Sequence, residues 1–257
     1  MKDSKTSFFI LGCGRSGTSM VAGMFRNTGL FMGDNLHQPS WENPKGYFED
    51  ATINQLNNKI LSKYLPTQKI IDSIPYQCDS PADSNGWLAR IPLETKLQAT
   101  ALEQDSIQSI IKNQPFCIKD TRLCYLLPIW KKTIKCKIIC VFRSPEIVIE
   151  SILKSCRTRP GLADMAISVN QAFQIWELMY SHVLNSFDST TEWFFVYYND
   201  IVNTKALSEL QSFAGLPLDL DFPDTTLNRT NSQLIAPDSC KKIFNELMAL
   251  TTYDTSN

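Results

Sequence analysis

A loop of glycine, arginine and hydroxyl residues lies between a short apolar run at residues 7–11 and an apolar stretch of helical periodicity. Glycines let a backbone turn sharply with its N–H groups pointing inward, and the start of a helix adds partial positive charge. Guanidinium and hydroxyl groups add further donors for anionic oxygens. The loop therefore predicts an anion site formed by Gly14, Arg15, Ser16, Gly17, Thr18 and Ser19.

Two common nucleotide sites match this loop in part. A Walker-type loop needs Lys directly after its last glycine, but Thr18 stands there, which argues against a kinase or ATPase. The glycines also match the Gly-x-Gly-x-x-Gly fingerprint of dinucleotide-binding proteins, and Asp34 stands where that fingerprint has its later acidic residue. Asp34 follows Gly33 in a segment whose apolar run is too short for a second strand. A kinase-like protein and an NAD-binding Rossmann protein remain alternatives.

A second pair of candidate ligands follows another apolar run. Residues 137–142 have the composition of a buried strand, and Arg143 ends it. Pro145 is well placed to begin a helix, and this helix carries Ser151 eight residues after Arg143. The guanidinium and the hydroxyl would therefore lie at a strand end and two turns into the following helix.

In order and spacing, these motifs resemble the sulfotransferase family, whose sulfuryl donor is 3′-phosphoadenosine 5′-phosphosulfate (PAPS). The resemblance implies that the glycine-rich loop holds the 5′-phosphosulfate and that Arg143 and Ser151 hold the 3′-phosphate. It also implies that Lys119 stabilises the leaving oxygen, that Tyr198 lies beside the adenine, and that no metal is needed. Residues 43–49, Asn-Pro-Lys-Gly-Tyr-Phe-Glu, are similar to a segment of bacterial sulfotransferase-like proteins with an Arg-Ser-Gly-Thr-Ser loop.

Two motifs of the cytosolic-type members differ here. Those members have Lys-Thr-His where this chain has Lys119, Asp120 and Thr121, so the family's usual catalytic histidine is a threonine. Their late Arg-Lys-Gly run, which clamps the 3′-phosphate, is absent, and Arg229 is the basic candidate in that stretch. Arg157 and Arg159 follow the Ser151 helix and are further candidates, although they would also suit a helix end by charge alone.

A different residue must therefore act as the base, because a hydroxyl has little proton affinity near neutral pH. We assign the base to Glu49, which follows two aromatic residues that would shield it from water and which matches the bacterial segment. Asp120 is expected to be the ion-pair partner of Lys119, which would make it a poor base. Glu42, Asp50 and His37 are alternative candidates for the base. Glu49 could instead have only a structural role, as a negative charge at the positive N-terminal end of a helix.

The sequence thus predicts sulfuryl transfer from PAPS to a hydroxyl or amine of a small-molecule, glycan or lipid acceptor. The alternative from another class is a non-catalytic nucleotide-binding module, which the missing histidine would permit. Two segments, residues 38–46 and 73–87, contain several proline and glycine residues among polar residues, which predicts loops that could act as lids. Their aromatic residues would line an acceptor pocket or pin the loops to the body: Trp41, Tyr76 and Trp87.

Composition narrows the class further. The chain has 257 residues, 43% of them hydrophobic and 20% charged, with a net charge of −1, which argues against a nucleic-acid partner. No apolar run has transmembrane length, and we expect a soluble, cytoplasmic protein. Eight cysteines without a Cys-x-x-Cys pair and two histidines argue against a zinc site, and buried thiols are expected to be core residues.

The candidate site residues are distributed over a chain in which predicted strands and helices alternate. Strand-like runs at residues 7–11, 116–119, 137–142 and 193–198 are separated by helical patterns, which indicates an α/β protein. We expect one domain, residues 1–257, with a P-loop-like three-layer fold in which helices flank a central parallel sheet. Helices are predicted over 51–63, from Pro92 past Ile107, over 162–187 and from Asp238, followed by a disordered tail at 251–257.

Overall fold

A computed structural model of the protein describes residues 6–65, 85–158, 167–227 and 229–253. Four parallel strands form one sheet in the order β2-β1-β3-β4. The strands are β1 (Phe8–Leu11), β2 (Cys117–Lys119), β3 (Lys137–Phe142) and β4 (Glu192–Tyr197). All four predicted strands are confirmed.

The strand register aligns the ends of the strands. Phe8 pairs with Cys117 on one side and with Lys137 on the other, and Phe142 pairs with Tyr197. Because all four strands are parallel, the segments that follow their carboxyl ends lie at the same edge of the sheet. The glycine-rich loop follows β1, one of the two inner strands, and therefore has neighbours on both sides.

Helices cover both faces of the sheet. Side chains alternate along β1, so that Phe9 packs into a core with one set of helices while Phe8 packs into a second core on the opposite face. The predicted three-layer α/β fold is thus confirmed. The helices are α1 (Thr18–Met24), α2 (Ala51–Ser62), α3 (Ala101–Ile111), α4 (Leu123–Trp130), α5 (Pro145–Thr158), α6 (Val169–Ser186), α7 (Tyr198–Val202), α8 (Leu207–Ala214) and α9 (Asp238–Ala249).

One helix start differs from the sequence prediction. The helix predicted from Pro92 begins at Ala101, because Thr100 caps it: the Thr100 hydroxyl accepts from the Glu103 N–H, and the Glu103 carboxylate accepts from the Thr100 N–H. The helices predicted at 51–63 and from Asp238 are confirmed. The first residues of the helix predicted over 162–187 lie outside the described residues, and α6 is capped by Ser168.

The described part of the tail is anchored. Tyr253 is buried, and its hydroxyl accepts a hydrogen bond of 2.8 Å from the N–H of Tyr197 at the end of β4. The prediction of disorder is therefore wrong at this residue, because a buried aromatic ring and its hydroxyl attach it to the sheet. The remaining tail residues, 254–257, lie outside the described residues.

The cysteines of the described ranges are buried free thiols, which confirms the expectation that they are core residues. Burial raises the pKa of the Cys13 thiol inside the glycine-rich loop. A raised pKa leaves little thiolate, so this thiol is a space-filling residue. Cys78 lies outside the described residues. In the described ranges, no helix is both long and apolar enough to cross a membrane.

Candidate active site

A cavity of about 820 Å³ lies at the carboxyl edge of the sheet. It is lined by the segments that follow all four strands and by parts of the two predicted lid loops. The cavity collects ten of the sequence-predicted site residues: Gly14, Arg15, Gly17, Thr18, Ser19, Glu49, Lys119, Arg143, Ser151 and Tyr198.

The glycine-rich loop packs so closely against aromatic rings that side chains are excluded at two positions. Gly17 has φ = +94°, and a Cβ atom there would lie 2.2 Å from Cδ2 of Tyr198. A Cβ atom on Gly14 would lie 2.6 Å from Cε3 of Trp87. The loop therefore presents bare backbone to the cavity between two aromatic side chains, as a phosphate-binding turn requires.

Ser16 does not line the cavity. Its N–H donates to the carbonyl of Cys13 at 3.1 Å, and its Oγ lies 3.0 Å from the hydroxyl of Tyr180. The Tyr180 hydroxyl also accepts from the N–H of Cys13 and donates to the carbonyl of Val141. The Ser16 side chain thus ties the loop to α6 rather than facing an anion, which differs from the role predicted for it.

The predicted 3′-phosphate ligands lie together. The Cζ atom of Arg143 is 4.3 Å from the ring centroid of Tyr198, and Nε of Arg15 donates to Oγ of Ser151 at 2.9 Å. Burial lowers the pKa of Arg143 and the nearby charge of Arg15 lowers it further, although Tyr198 and Tyr197 act in the opposite direction. Two like charges in a largely buried position favour a bound anion, because an anion relieves their repulsion.

Lys119, which is buried, and Glu49, which is partly exposed, form an ion pair with 2.5 Å between Nζ and Oε1. Lys119 also donates to Oγ of Ser19 at 3.2 Å, which places the pair beside the glycine-rich loop. The prediction that Lys119 pairs with Asp120 is wrong. Strand neighbours point to opposite faces, so that Lys119 reaches the cavity while Asp120 turns away from it.

Asp120 is instead the centre of a buried polar cluster beneath the cavity wall. Its Oδ1 accepts from the backbone and from Nη1 of Arg122 at 2.8 and 2.9 Å, and its Oδ2 accepts from the amides of Asn54 and Asn57, both at 2.8 Å. Burial alone would raise its pKa, but the Arg122 charge and these hydrogen bonds hold the pKa of Asp120 below its usual value. Asp120 is therefore a poor base, as expected. Its ion-pair partner is Arg122, however, and not Lys119.

Several lining residues were missed by the sequence analysis. Asn54 and Asn58 are polar residues on the buried side of α2, a pattern that signals a buried polar cluster. Lys154 and Ser155 lie one turn beyond Ser151 on α5, so that helical spacing from Ser151 would have found them. Arg122 also lines the cavity, and it follows the Lys119 motif by three residues.

The remaining candidates divide between the cavity and the surface. Trp41, Trp87 and Arg229 line the cavity, whereas Tyr76 and Arg159 lie outside the described residues. Arg157 does not line it and instead lies 3.5 Å from Glu150 on the same helix. In the described ranges, no group of three or more acidic, cysteine or histidine side chains could hold a metal ion.

The fold is shared with solved sulfotransferase domains. The sulfotransferase domain of the Synechococcus PCC 7002 olefin synthase aligns at 18% identity over 99% of this chain and 98% of its own, with a TM-score of 0.53. The sulfotransferase domain from the curacin biosynthetic pathway aligns at 15% identity over 95% of this chain and 97% of its own, with a TM-score of 0.53. No protein-family model and no curated protein matches the sequence.

The class that these structures define is the sulfotransferase fold, and this chain has it over almost its whole length. The resemblance carried by the sequence motifs is thereby confirmed at the level of the fold.

Proposed function

We propose that the protein is a sulfotransferase that moves a sulfuryl group from PAPS to a hydroxyl or amine acceptor. The observation that carries the proposal is the contact chain across the cavity. The glycine-rich loop reaches Lys119 through Ser19, and it reaches the predicted 3′-phosphate ligands through the bond from Arg15 to Ser151. One cavity therefore offers places for both anionic groups of one donor.

The donor end suits a nucleotide that carries two separate anions. Gly14, Gly17 and Ser19 would hold the 5′-phosphosulfate, while Arg143 and Ser151 would hold the 3′-phosphate, with Arg15 between the two groups. The Tyr198 ring lies between Gly17 and Arg143, where it would contact the adenine side of the nucleotide. The guanidinium of Arg143 can bind two phosphate oxygens at once.

The donor supplies an activated sulfuryl group joined to a phosphate through a bridging oxygen. In the proposed reaction, the acceptor oxygen forms a bond to sulfur while the bond from sulfur to the bridging oxygen breaks. The acceptor proton goes to Glu49, and Lys119 donates to the bridging oxygen as negative charge develops on it. Because Glu49 and Lys119 form one ion pair here, the base and the charge-stabilising group lie side by side.

Nucleotide binding tests the donor assignment. By calorimetry, we expect 3′-phosphoadenosine 5′-phosphate (PAP) to bind far more tightly than AMP, ATP or NAD, which lack a 3′-phosphate. Charge-assisted hydrogen bonds are each worth about 1.5 to 3 kcal/mol, so Arg143→Ala should weaken PAP binding at least about tenfold and AMP binding little. Arg157→Ala removes an arginine that does not line the cavity and is the matched control. Equal weakening toward PAP and AMP in Arg143→Ala would refute the site assignment.

Transfer itself is tested with sulfur-labelled PAPS and a cell extract as the source of acceptors. We expect the wild-type protein to produce a labelled product and Lys119→Met to produce none. Tight PAP binding without any labelled product would instead support the non-catalytic nucleotide-binding module.

A further inference from the structure

The two ends of the cavity differ in charge. The donor end carries the cations Arg15, Arg143 and Lys154. At the other end, the cations are matched: Lys119 pairs with Glu49, and Arg122 pairs with Asp120 at 2.9 Å. Lys45 likewise lies 3.4 Å from Asp224, and Glu42 and Arg229 add one charge of each sign to the lining. An anionic acceptor would add negative charge beside Lys119 and Arg122, each of which already has a carboxylate partner.

The contacts order the residues along the cavity. Ser19 of the glycine-rich loop contacts Lys119, Lys119 contacts Glu49, and Glu49 lies 3.8 Å from Nη1 of Arg122. The backbone N–H of His37 donates to the carbonyl of Glu49 at 2.9 Å. Arg122 and His37 therefore both lie beside the proposed base.

Hydrogen bonds orient the His37 ring. A carboxylate only accepts, so the Asp120 carboxylate turns the amide NH₂ of Asn54 toward itself. The amide oxygen of Asn54 is left to face Nε2 of His37 at 2.9 Å, and this nitrogen must then carry the proton. In the neutral ring, Nδ1 is consequently an acceptor, and no residue in the described ranges occupies it.

Arg122 is oriented in the same way from the opposite side of Asp120. Its Nη1 donates to Asp120 and its Nε donates to the amide oxygen of Asn58, while no described residue accepts from Nη2. The side chain is 5% exposed and lines the cavity. One buried carboxylate thus orients a hydrogen-bond acceptor, His37, and a hydrogen-bond donor, Arg122, for a molecule in the cavity.

We infer that the acceptor is a neutral polyhydroxylated molecule of the sugar class; this inference rests on the proposed function. One hydroxyl reacts beside Glu49, a second donates to Nδ1 of His37, and Nη2 of Arg122 donates to a third oxygen. Trp41 lines the same cavity and is 66% exposed, which leaves a flat apolar surface for the C–H face of a sugar ring.

The classes of acceptor are compared in transfer assays that use labelled PAPS as the donor and 4-nitrophenol or its glycosides as acceptors. The neutral β-glycosides of glucose, galactose, mannose and N-acetylglucosamine form one arm. The β-glucuronide, which adds a carboxylate, and 4-nitrophenol, which has a single hydroxyl, form the other two arms. We expect at least one neutral glycoside to be sulfated with a kcat/KM about tenfold or more above both comparisons.

Preference for the glucuronide or for 4-nitrophenol would overturn the acceptor class and leave the proposed function standing. The same holds if no glycoside is sulfated while PAP still binds. Failure of PAP binding would overturn the proposed function itself.

Variants of His37 separate recognition from a structural role. His37→Gln keeps an N–H for the Asn54 oxygen, but its amide oxygen does not lie at the position of Nδ1, whereas His37→Phe removes both nitrogens. If Nδ1 contacts the acceptor, both variants should raise the KM for the sulfated glycoside by about 3- to 10-fold and leave the PAP affinity unchanged. Restoration of the wild-type KM by His37→Gln alone would show that His37 only supports Asn54 and would overturn the assignment.

Discussion

The pair formed by Glu49 and Lys119 brings the two proposed catalytic functions into one contact. In the proposed reaction, the acceptor proton goes to a carboxylate whose Oε1 already contacts the ammonium group of Lys119. Lys119 must also turn toward the bridging oxygen as that oxygen becomes negative. The proposed mechanism therefore couples donor binding to the release of Glu49 by Lys119, since both residues line the same cavity.

Glu49→Gln should separate chemistry from binding. The amide keeps the shape of the side chain but cannot accept the proton, so we expect turnover to fall by about 10² to 10⁴ while PAP affinity stays within a few-fold. Steady-state kinetics and calorimetry measure the two quantities. Glu42→Gln is the control, because Glu42 lines the same cavity without contacting Lys119. Normal turnover of Glu49→Gln, together with a dead His37→Ala or Asp120→Asn, would disprove the role of Glu49.

Thr121 presents a buried polar atom without a partner. Its Oγ1 is buried and makes no hydrogen bond in the described part of the chain. Valine has nearly the same shape without the hydroxyl, so Thr121→Val should raise the free energy of unfolding by about 1 kcal/mol, as measured in urea. Thr28→Val is the matched control and should lower it, because the Thr28 hydroxyl donates to the carbonyl of Phe25 at 2.7 Å. A loss of stability in Thr121→Val would contradict the expectation.

At the scale of elements, α6 supports the glycine-rich loop from beneath. Its Tyr180 contacts the N–H of Cys13, Oγ of Ser16 and the carbonyl of Val141, and it joins the loop to β3. Burial raises the pKa of Tyr180, so the hydroxyl stays protonated as the donor to Val141. The shape of the anion site thus depends on a helix that follows the loop by more than a hundred residues.

Tyr180→Phe should reduce PAP affinity although Tyr180 does not line the cavity. The variant leaves buried groups of the loop without their partner, which costs about 1 to 3 kcal/mol of stability and loosens the turn. Calorimetry with PAP and urea unfolding measure the two effects. Tyr125→Phe removes another buried hydroxyl, bonded to the carbonyl of Ala89, and should leave PAP affinity unchanged. Wild-type affinity in Tyr180→Phe would show that the loop holds its shape alone.

At the scale of the molecule, the net charge of −1 contrasts with the cationic donor end of the cavity. The attraction expected for the proposed nucleotide donor is therefore local and comes from a few side chains that different strands bring to one edge. Around Glu49, by contrast, the cations have carboxylate partners: Lys119 pairs with Glu49, and Arg122 pairs with Asp120. This arrangement suits a multiply charged donor at one end and an uncharged acceptor at the other.

PAP binding should persist in a metal chelator, because arginine and lysine side chains supply the positive charge at the donor end. ATP should release no phosphate, since Thr18 stands where a Walker-type loop needs its lysine. Calorimetry with EDTA and a phosphate-release assay measure these outcomes. Steady ATP hydrolysis that Ser19→Ala abolishes would instead support the kinase-like alternative.

The sequence by itself determined the local parts of this protein. The strand runs, the glycine-rich loop and the pair of Arg143 and Ser151 were predictable because each depends on short-range spacing: buried strands on apolar runs, the turn on glycine, and the helix start on Pro145. Parallel strands then bring the segments after them to one edge, so that most predicted site residues meet in one cavity.

Only the tertiary structure decided which charged and polar groups are partners. Lys119 contacts Glu49 rather than its sequence neighbour Asp120, Asp120 orients His37 through Asn54, and Ser16 faces Tyr180 instead of the cavity. These contacts join residues that are 17 to 164 positions apart. Composition and periodicity show which side chains are buried, but a buried donor or acceptor takes the partner that packing brings within about 3 Å, and that partner depends on the whole fold.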